Sequence, residues 1–274
     1  MLTPLTPLLQ QAREAGAGLG AMNVIQIELA EAIVSGAEAA GRPVVLQISE
    51  NTVAYHGALK PIAAASLAIA EAASVDVCVH LDHAVSMSLV DEALKLGIPS
   101  VMYDASTLPY ADNVASTAAL AARCRGLGVS LEAELGEVGG KDGVHAPGVR
   151  TDPGEAAAFV SATGVDALAV AVGSSHAMTS REAVLDDELI VALAAAVPVP
   201  LVLHGSSGVP DEGIVSAIQA GITKINIATH LNKVMTAAVR ESLECGSVDP
   251  RKYLGPGRAA VAVEVERLLR VFWP

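Results

Sequence analysis

Three histidines follow short apolar segments at widely separated points of the chain, and together they could bind a metal ion. They are His83, His176 and His204. Neutral imidazoles suit Zn²⁺, and a catalytic zinc typically takes three protein ligands and leaves one position open. Asp82, directly before the first histidine, could act as a general acid or base. These residues predict a zinc-assisted reaction, although a single histidine is more often just a partly buried, hydrogen-bonded residue.

The elements that must position these side chains alternate between two types. Short apolar segments, often rich in β-branched residues, are separated by longer Ala-rich stretches, and their spacing fits a βα unit. Several of the predicted helices end at a glycine, as is usual just past a helix C-terminus. We predict strands over 19–24, 43–49, 77–83, 100–106, 129–136, 167–174, 200–206 and 222–229. We predict helices over 27–40, 88–96, 114–125, 187–196 and 211–220.

Eight such units favour an α/β fold of the (β/α)8 TIM-barrel type, which commonly needs about 250 residues. The alternative is an open doubly wound sheet, but no GxGxxG follows the first strand. No linker-like shift in composition divides the chain, so we predict one domain over 1–274.

In a TIM barrel the active site lies at the carboxyl ends of the strands. Glu134 closes the fifth predicted strand and Asn226 lies late in the eighth, so both should meet the histidines and Asp82 at one mouth. His80 lies deeper in its strand and is predicted to be a core or supporting residue. The remaining histidines are predicted to be solvated, in loops or at the start of a helix: His56, His145 and His230.

Composition limits the possible partners and the compartment. The 17 basic and 30 acidic residues give a formal net charge of -13, which argues against nucleic-acid binding. Hydrophobic residues make up 52% of the chain, enough for a large core. The three cysteines lie far apart, which favours a reducing compartment. With no signal-peptide pattern and no long apolar run, we expect a soluble, cytoplasmic protein without a membrane partner.

Five segments resemble the class II, metal-dependent fructose- and tagatose-bisphosphate aldolases. They are VHLDHA (79–84), EAELGEVGG (132–140), HGSSG (204–208), KINIAT (224–229) and DPRKYLGPGR (249–258). They span almost the whole chain in the family's order, and HLDH with HGSSG is the most specific combination. The resemblance implies reversible cleavage of a ketose 1,6-bisphosphate, first of all fructose 1,6-bisphosphate, to dihydroxyacetone phosphate and glyceraldehyde 3-phosphate. Tagatose 1,6-bisphosphate or another phosphoketose stays open.

The resemblance also implies a role for the residues around the metal. His83, His176 and His204 would bind Zn²⁺, and Glu134 would support the metal or hold it in an alternative position. Asp82 would be the acid/base that serves the C4 oxygen of the sugar.

Other matching residues are implied to contact a phosphorylated sugar. Asn226 would contact the dihydroxyacetone-phosphate half, and Asn23 and Ser49 the other half. Arg251 would reach the distal phosphate in a neighbouring subunit, which implies a homodimer or homotetramer. The residues implied to bind the first phosphate are Gly205, Ser207 and Thr229.

Two segments depart from the family pattern. After His176 the family usually has a glycine and a loop lysine that help to hold phosphate and a monovalent cation, Na⁺ or K⁺. This chain has Ala177 there, and Arg181 is a candidate for the missing charge. The loop 139–148 has Asp142 near the place of a glutamate used for deprotonation, so Asp142 is a second catalytic candidate. That glycine-rich loop could equally be an ordinary surface loop.

Three other functions fit some of these residues. A class I, Schiff-base aldolase needs an inward-facing lysine, and Lys224 lies in a predicted strand with the same parity as Asn226. A non-catalytic, aldolase-like partner subunit is the second alternative, because fold alone does not fix function. The third is a zinc-dependent epimerase or hydrolase that uses the same ligands.

Overall fold

The computed structural model describes residues 1–135, 150–175, 178, 180–244 and 246–273. The strands are β1 (Leu19–Asn23), β2 (Val44–Ser49), β3 (Val77–Ala84), β4 (Ser100–Tyr103), β5 (Ser130–Leu135), β6 (Ala167–Val170), β7 (Leu201–Leu203) and β8 (Ile222–Ile227). The helices are α1 (Leu5–Glu14), α2 (Ile27–Ala40), α3 (Glu50–His56), α4 (Lys60–Ala72), α5 (Met87–Lys95), α6 (Tyr110–Leu127), α7 (Pro153–Thr163), α8 (Asp187–Ala196), α9 (Asp211–Ala220), α10 (Thr229–Leu243) and α11 (Pro250–Phe272).

The eight strands form a closed parallel barrel in chain order, which confirms the predicted (β/α)8 fold. Closure is made by β1, where Ala21 lies opposite Val45 of β2 on one side and Asn226 of β8 on the other. An open sheet would leave β1 and β8 unpaired with each other, so the doubly wound alternative is wrong.

Alternate residues of each strand enter two different cores. Val44, Leu46 and Ile48 of β2 pack with the surrounding helices, while Val45 belongs to a smaller cluster inside the barrel. This alternation follows from the two-residue period of a strand. It means that every second side chain points inward, toward either the floor or the mouth of the barrel.

Helix α1 closes the amino-terminal end of the barrel. Leu5, Leu8 and Leu9 are fully or almost fully buried and share the inner cluster with Leu19 and Val45. Burying each leucine side chain contributes about 2 kcal/mol. The inner cluster is apolar at this end, so polar interior side chains are concentrated toward the other end.

The last helix, α11, completes the outer layer against α2. A Cβ atom at Gly36 of α2 would lie only 2.5 Å from the Ala262 carbonyl oxygen and 2.7 Å from Cβ of Val265. Glycine at this position therefore allows the two helix backbones to approach closely.

Most element boundaries match the sequence prediction, and the largest difference lies in α6. The helices over 27–40, 187–196 and 211–220 are confirmed. The prediction over 114–125 was too short, because Pro109 precedes a helix that starts at Tyr110 and continues through Gly126. Gly128, with φ 70°, ends the helix in the left-handed conformation. Among the strands, β4, β6 and β7 end three or four residues earlier than predicted.

Candidate active site

A cavity of about 420 Å³ opens at the carboxyl ends of the strands. This volume lies in the usual range for small-molecule sites. Asn51 and Tyr55 of α3 and Asn232 of α10 also line it and were not singled out from the sequence. The sequence-predicted residues that line the cavity are Asn23, Ser49, Asp82, His83, Gly205, Ser207, Asn226 and Thr229.

Asp82 and His83 both line this cavity although they are adjacent in β3. Neighbouring residues of a regular strand point to opposite faces. His83 escapes this rule because its φ is 49°, the one positive φ found at a non-glycine residue in the described chain. The pairing of β3 with β4 also shifts register between Leu81 and Ala84. Such strained backbone is frequent at functional sites.

His83 and His204 face each other through ring nitrogens, with Nε2 of His83 and Nδ1 of His204 2.8 Å apart. The other nitrogen of each ring lies near a carboxylate: Nδ1 of His83 is 3.2 Å from Asp104, and Nε2 of His204 is 3.0 Å from Glu132. A carboxylate can only accept, so both of these ring nitrogens donate N–H. Two lone pairs then face each other, an arrangement that favours a proton or a metal ion between them. The pair therefore fits a divalent metal.

Further carboxylates surround the histidine pair. Oε2 of Glu134 lies 3.9 Å from Nδ1 of His83 and 3.7 Å from Nδ1 of His204. Donor atoms of Asp82, His83 and His204 lie within 4.8 Å of one another, and so do those of His83, Asp104 and Glu134. Both groups could hold a metal ion, and they share His83.

Asp82 is 3% exposed and stands at the boundary between the cavity and the barrel interior. Its Oδ2 accepts a hydrogen bond of 3.3 Å from Nδ2 of Asn23, whose Oδ1 in turn accepts from Gln47. Its Oδ1 is buried and makes no hydrogen bond with a described residue. A buried carboxylate oxygen of this kind is suited to exchange a proton with a substrate or to contact a cation.

The opposite wall of the cavity is built from the residues after β7 and at the start of α10. Oγ of Ser207 accepts hydrogen bonds from the backbone N–H groups of Ala228 and His230, at 3.1 and 3.3 Å. This ties the loop after His204 to the first turn of the helix that begins at Thr229. Small side chains and backbone N–H groups at a helix start are typical of anion sites.

Gly205 should tolerate no side chain. Its φ is 68°, and an added Cβ would lie 2.6 Å from the Ser175 carbonyl oxygen. We expect Gly205→Ala to lower the free energy of unfolding by about 1–3 kcal/mol and to weaken substrate binding. Denaturant unfolding and KM measurements test this.

Gly97→Ala is the matched control, because Gly97 has φ 79° but nothing within 4 Å of an added Cβ. It should share the backbone strain and keep an unchanged KM. Equal KM values for both variants would show that the Gly205 loop does not shape the site.

Several predicted residues lie elsewhere or outside the described part. His176, Asp142 and His145 fall outside the described residues. Arg251 is the second residue of α11, its side chain is 89% exposed and paired with Asp249, and it does not line the cavity of its own chain. The placement of Arg251 leaves its predicted contact across subunits untested.

Arg181 does not substitute for the family's loop lysine, because its guanidinium is already bound to other residues. Its guanidinium donates to the Val209 carbonyl oxygen at 2.7 and 2.9 Å and to Asp211 at 2.6 Å. Burial alone would raise the pKa of Asp211, but hydrogen bonds from Arg267 and Arg181 lower it overall. Arg181 therefore fastens its own segment to the residues after the Gly205 loop.

The remaining histidines divide between core and surface contacts. His80 is fully buried and its Nδ1 lies 2.7 Å from Oγ of Ser100, in agreement with a core role. The prediction of a loop at His56 was wrong, because α3 ends there and the ring donates to the Ile25 carbonyl oxygen. The prediction of a merely solvated His230 was also wrong, since its Nε2 is 2.6 Å from Glu264.

Sequence reasoning missed Asp104 and Glu132, the two carboxylates that hold the histidine rings. Asp104 directly follows β4, so the rule that collected residues at strand ends could have found it. Glu132 lies in the middle of β5 and shares the parity of Glu134. Parity within a strand was therefore the signal for Glu132.

The fold and the site together define a (β/α)8-barrel enzyme with histidine and carboxylate groups that could hold a metal. The family model described as fructose-bisphosphate aldolase class-II matches residues 3–273. The chain belongs to this family, whose members are lyases.

Individual relatives agree with this assignment. A Bacillus subtilis (strain 168) protein named "Probable fructose-bisphosphate aldolase" is 40% identical over 99% of this chain and 97% of its own length. The fructose-bisphosphate aldolase of Thermus caldophilus is 37% identical over 99% of this chain and 98% of its own. The crystal structure of the YdjI aldolase from Escherichia coli K12 superposes with a TM-score of 0.86 at 31% identity, covering 99% and 97% of the two chains.

No single helix in the described ranges is long and apolar enough to cross a membrane; only the pair α3 and α4, bent by 118°, reaches that length and composition together.

Proposed function

We propose that this protein is a zinc-dependent aldolase that reversibly cleaves fructose 1,6-bisphosphate to dihydroxyacetone phosphate and glyceraldehyde 3-phosphate. The observation that carries the proposal is the facing pair of His83 and His204, with the buried carboxylate of Asp82 beside it. His83 and Asp82 line the cavity, while His204 is fully buried. Such a set joins metal ligands to an acid/base group. Membership of the class II family supports the same reaction.

The metal would be held by His83 and His204, with His176 as the third ligand and Glu134 able to support it. When bound, Zn²⁺ supplies a Lewis acid that polarises the ketose carbonyl. The fit rests on the types of donor present, because the carboxylates of Asp104 and Glu132 orient the two rings so that Nε2 of His83 and Nδ1 of His204 face each other. Carboxylate partners of this kind are usual behind metal-bound histidines.

Asp82 would remove the proton from the C4 hydroxyl as the C3–C4 bond breaks, and return it in the condensation direction. Asn23 holds one carboxylate oxygen, which leaves Oδ1 to face the substrate. Asp142 is our candidate for a second proton-transferring carboxylate from the 139–148 segment.

The substrate would lie across the cavity between two sets of polar groups. Gly205, Ser207 and Thr229 would bind the phosphate of the dihydroxyacetone-phosphate half, where TIM barrels often place a phosphate. A monovalent cation, Na⁺ or K⁺, could assist there. The groups proposed for the sugar itself are Asn226 on one half and Asn23 with Ser49 on the other.

The experiment is a product assay on the purified protein with fructose 1,6-bisphosphate and tagatose 1,6-bisphosphate. We expect dihydroxyacetone phosphate from fructose 1,6-bisphosphate, loss of activity with chelator, and recovery on adding Zn²⁺. Greater activity on tagatose 1,6-bisphosphate would move the proposal to that sugar. No cleavage of either sugar by metal-loaded protein would favour a non-catalytic role, and conversion without dihydroxyacetone phosphate would favour an epimerase or hydrolase.

Arg251→Ala should raise KM much more for a bisphosphate than for a monophosphate. The exposed guanidinium is available to a neighbouring subunit, so removing it should cost one phosphate contact. We expect an increase of about tenfold for the bisphosphate, since charge-assisted hydrogen bonds contribute about 1.5–3 kcal/mol. Steady-state kinetics with both substrates measures this, and equal effects would remove Arg251 from the distal-phosphate site.

This role of Arg251 requires an assembly, and we propose a homodimer or homotetramer of a single-domain, cytoplasmic chain. Sedimentation velocity tests the assembly directly. A monomer with full activity would contradict it.

A further inference from the structure

A lysine is buried inside the barrel, directly beneath the candidate active site. Lys224 in β8 is fully buried, and its neighbours in register are Leu19 of β1 and Val202 of β7. Two residues further along β8, with the same parity, Asn226 lines the cavity. An ionised lysine is almost never fully buried unless it is paired.

The first partner of Lys224 is Glu132, and through Glu132 it reaches His204. Nζ of Lys224 lies 2.9 Å from Oε2 of Glu132, while Oε1 of the same carboxylate accepts from Nε2 of His204 at 3.0 Å. All three side chains are fully buried. Because a buried carboxylate is costly without a cation, Lys224 stabilises the group that fixes the direction of the His204 ring.

His80 does not supply that positive charge. Its Nε2 lies 3.9 Å from Oε2 of Glu132. Burial lowers the pKa of His80 well below its usual value, and the charge of Lys224 acts in the same direction. His80 is therefore neutral, and Lys224 balances Glu132.

The second partner of Lys224 is Asn226. Nζ lies 3.0 Å from Oδ1 of Asn226. An ammonium group has three donors and no acceptor, so it must face the amide oxygen and not the amide nitrogen. With its oxygen held from below, Asn226 can offer its NH₂ group as a donor to an oxygen of a bound sugar.

We propose that Lys224 is a positioning residue that sets two parts of the active site at once: the His204 ring through Glu132, and the amide of Asn226 directly. The inference rests on the proposed aldolase function for its second half, because the role of Asn226 toward a sugar belongs to that proposal. It assigns Lys224 no covalent chemistry, since both of its contacts hold it in the barrel interior.

The first test measures metal binding without activity. Co²⁺ is titrated into metal-free protein against a competing chelator, for wild type, K224M, E132Q and K224M/E132Q. We expect K224M to weaken Co²⁺ binding by about 10- to 100-fold, the usual effect of losing a group behind a metal ligand. The double variant K224M/E132Q lacks both the ammonium and the carboxylate charge, so it buries no unbalanced charge. It should bind Co²⁺ at least tenfold more tightly than K224M.

The second test measures kcat at saturating metal, so that weaker metal binding does not enter. We expect K224M and K224M/E132Q both to lose tenfold or more in kcat, because neither holds the Asn226 amide. In an N226A background, adding K224M should change kcat by less than twofold. K95M, the same change at an exposed lysine of α5, is the control and should match wild type in both tests.

The outcomes test the role of Lys224 separately from the proposed aldolase function. Unchanged Co²⁺ affinity in K224M overturns the link to His204. Recovery of kcat in K224M/E132Q to the E132Q value would show that Lys224 only balances charge. If K224M does not fold, both measurements are made on the double variant K224M/E132Q, with E132Q as its reference. If wild type cleaves no sugar, the aldolase proposal fails, while the Co²⁺ titration still tests the link to His204.

Discussion

His204→Ala should remove the bound zinc and almost all of the aldolase activity. His204 is fully buried, faces His83 across 2.8 Å and is oriented by Glu132, so its loss removes one of the two ring nitrogens that face each other. Loss of carbonyl polarisation, worth about 4 kcal/mol, corresponds to about a 10³-fold lower kcat. Zinc per chain, measured by mass spectrometry, should fall from near one to near zero, and added Zn²⁺ should not restore activity.

His56→Gln is the control for this variant. His56 is exposed at the end of α3, where its ring donates to the Ile25 carbonyl oxygen, and glutamine can make the same contact. It should keep both zinc and turnover. A folded His204→Ala protein that retains a full equivalent of zinc would contradict the assignment of His204 as a ligand.

Asp82→Asn should keep the metal and lose catalysis. The substitution preserves size and leaves an oxygen to accept from Asn23, but it removes the group that exchanges the proton. General acid–base catalysis contributes about 10²- to 10⁴-fold, so kcat should fall by at least the lower value. The measurements are zinc content and kcat for fructose 1,6-bisphosphate.

The two measurements distinguish the possible roles of Asp82, whose carboxylate also lies within reach of a metal shared by His83 and His204. Loss of zinc together with activity would make Asp82 a metal ligand. Unchanged turnover would remove Asp82 from the mechanism.

The barrel could be predicted because its signals are local and repeated. Each apolar segment is short and several helices end at glycine, so the order of elements follows from periodicity and turn residues. The end of α6 could not be predicted in the same way, because Gly126 and Gly128 are both plausible stops. In the structure Gly126 lies inside the helix, and Gly128 takes the left-handed conformation that ends it.

The position of the site was predictable from the fold, but its inner contacts were not. Strand ends gave Asp82, His83 and His204, because parallel strands bring their carboxyl ends together. The left-handed backbone at His83 turns its side chain to the same side of β3 as Asp82, and nothing in the sequence indicates this conformation. Lys224 and Glu132 lie on strands that pair with other neighbours, so only the closed barrel brings them together.

The most direct test of the whole account is anomalous diffraction at the zinc edge from crystals of the zinc-loaded protein. The account predicts one strong peak about 2.1 Å from a ring nitrogen of His83 and of His204, a usual zinc–nitrogen distance. His176 should supply the third nitrogen. A barrel mouth without a peak, or a peak that touches neither His83 nor His204, would contradict the account.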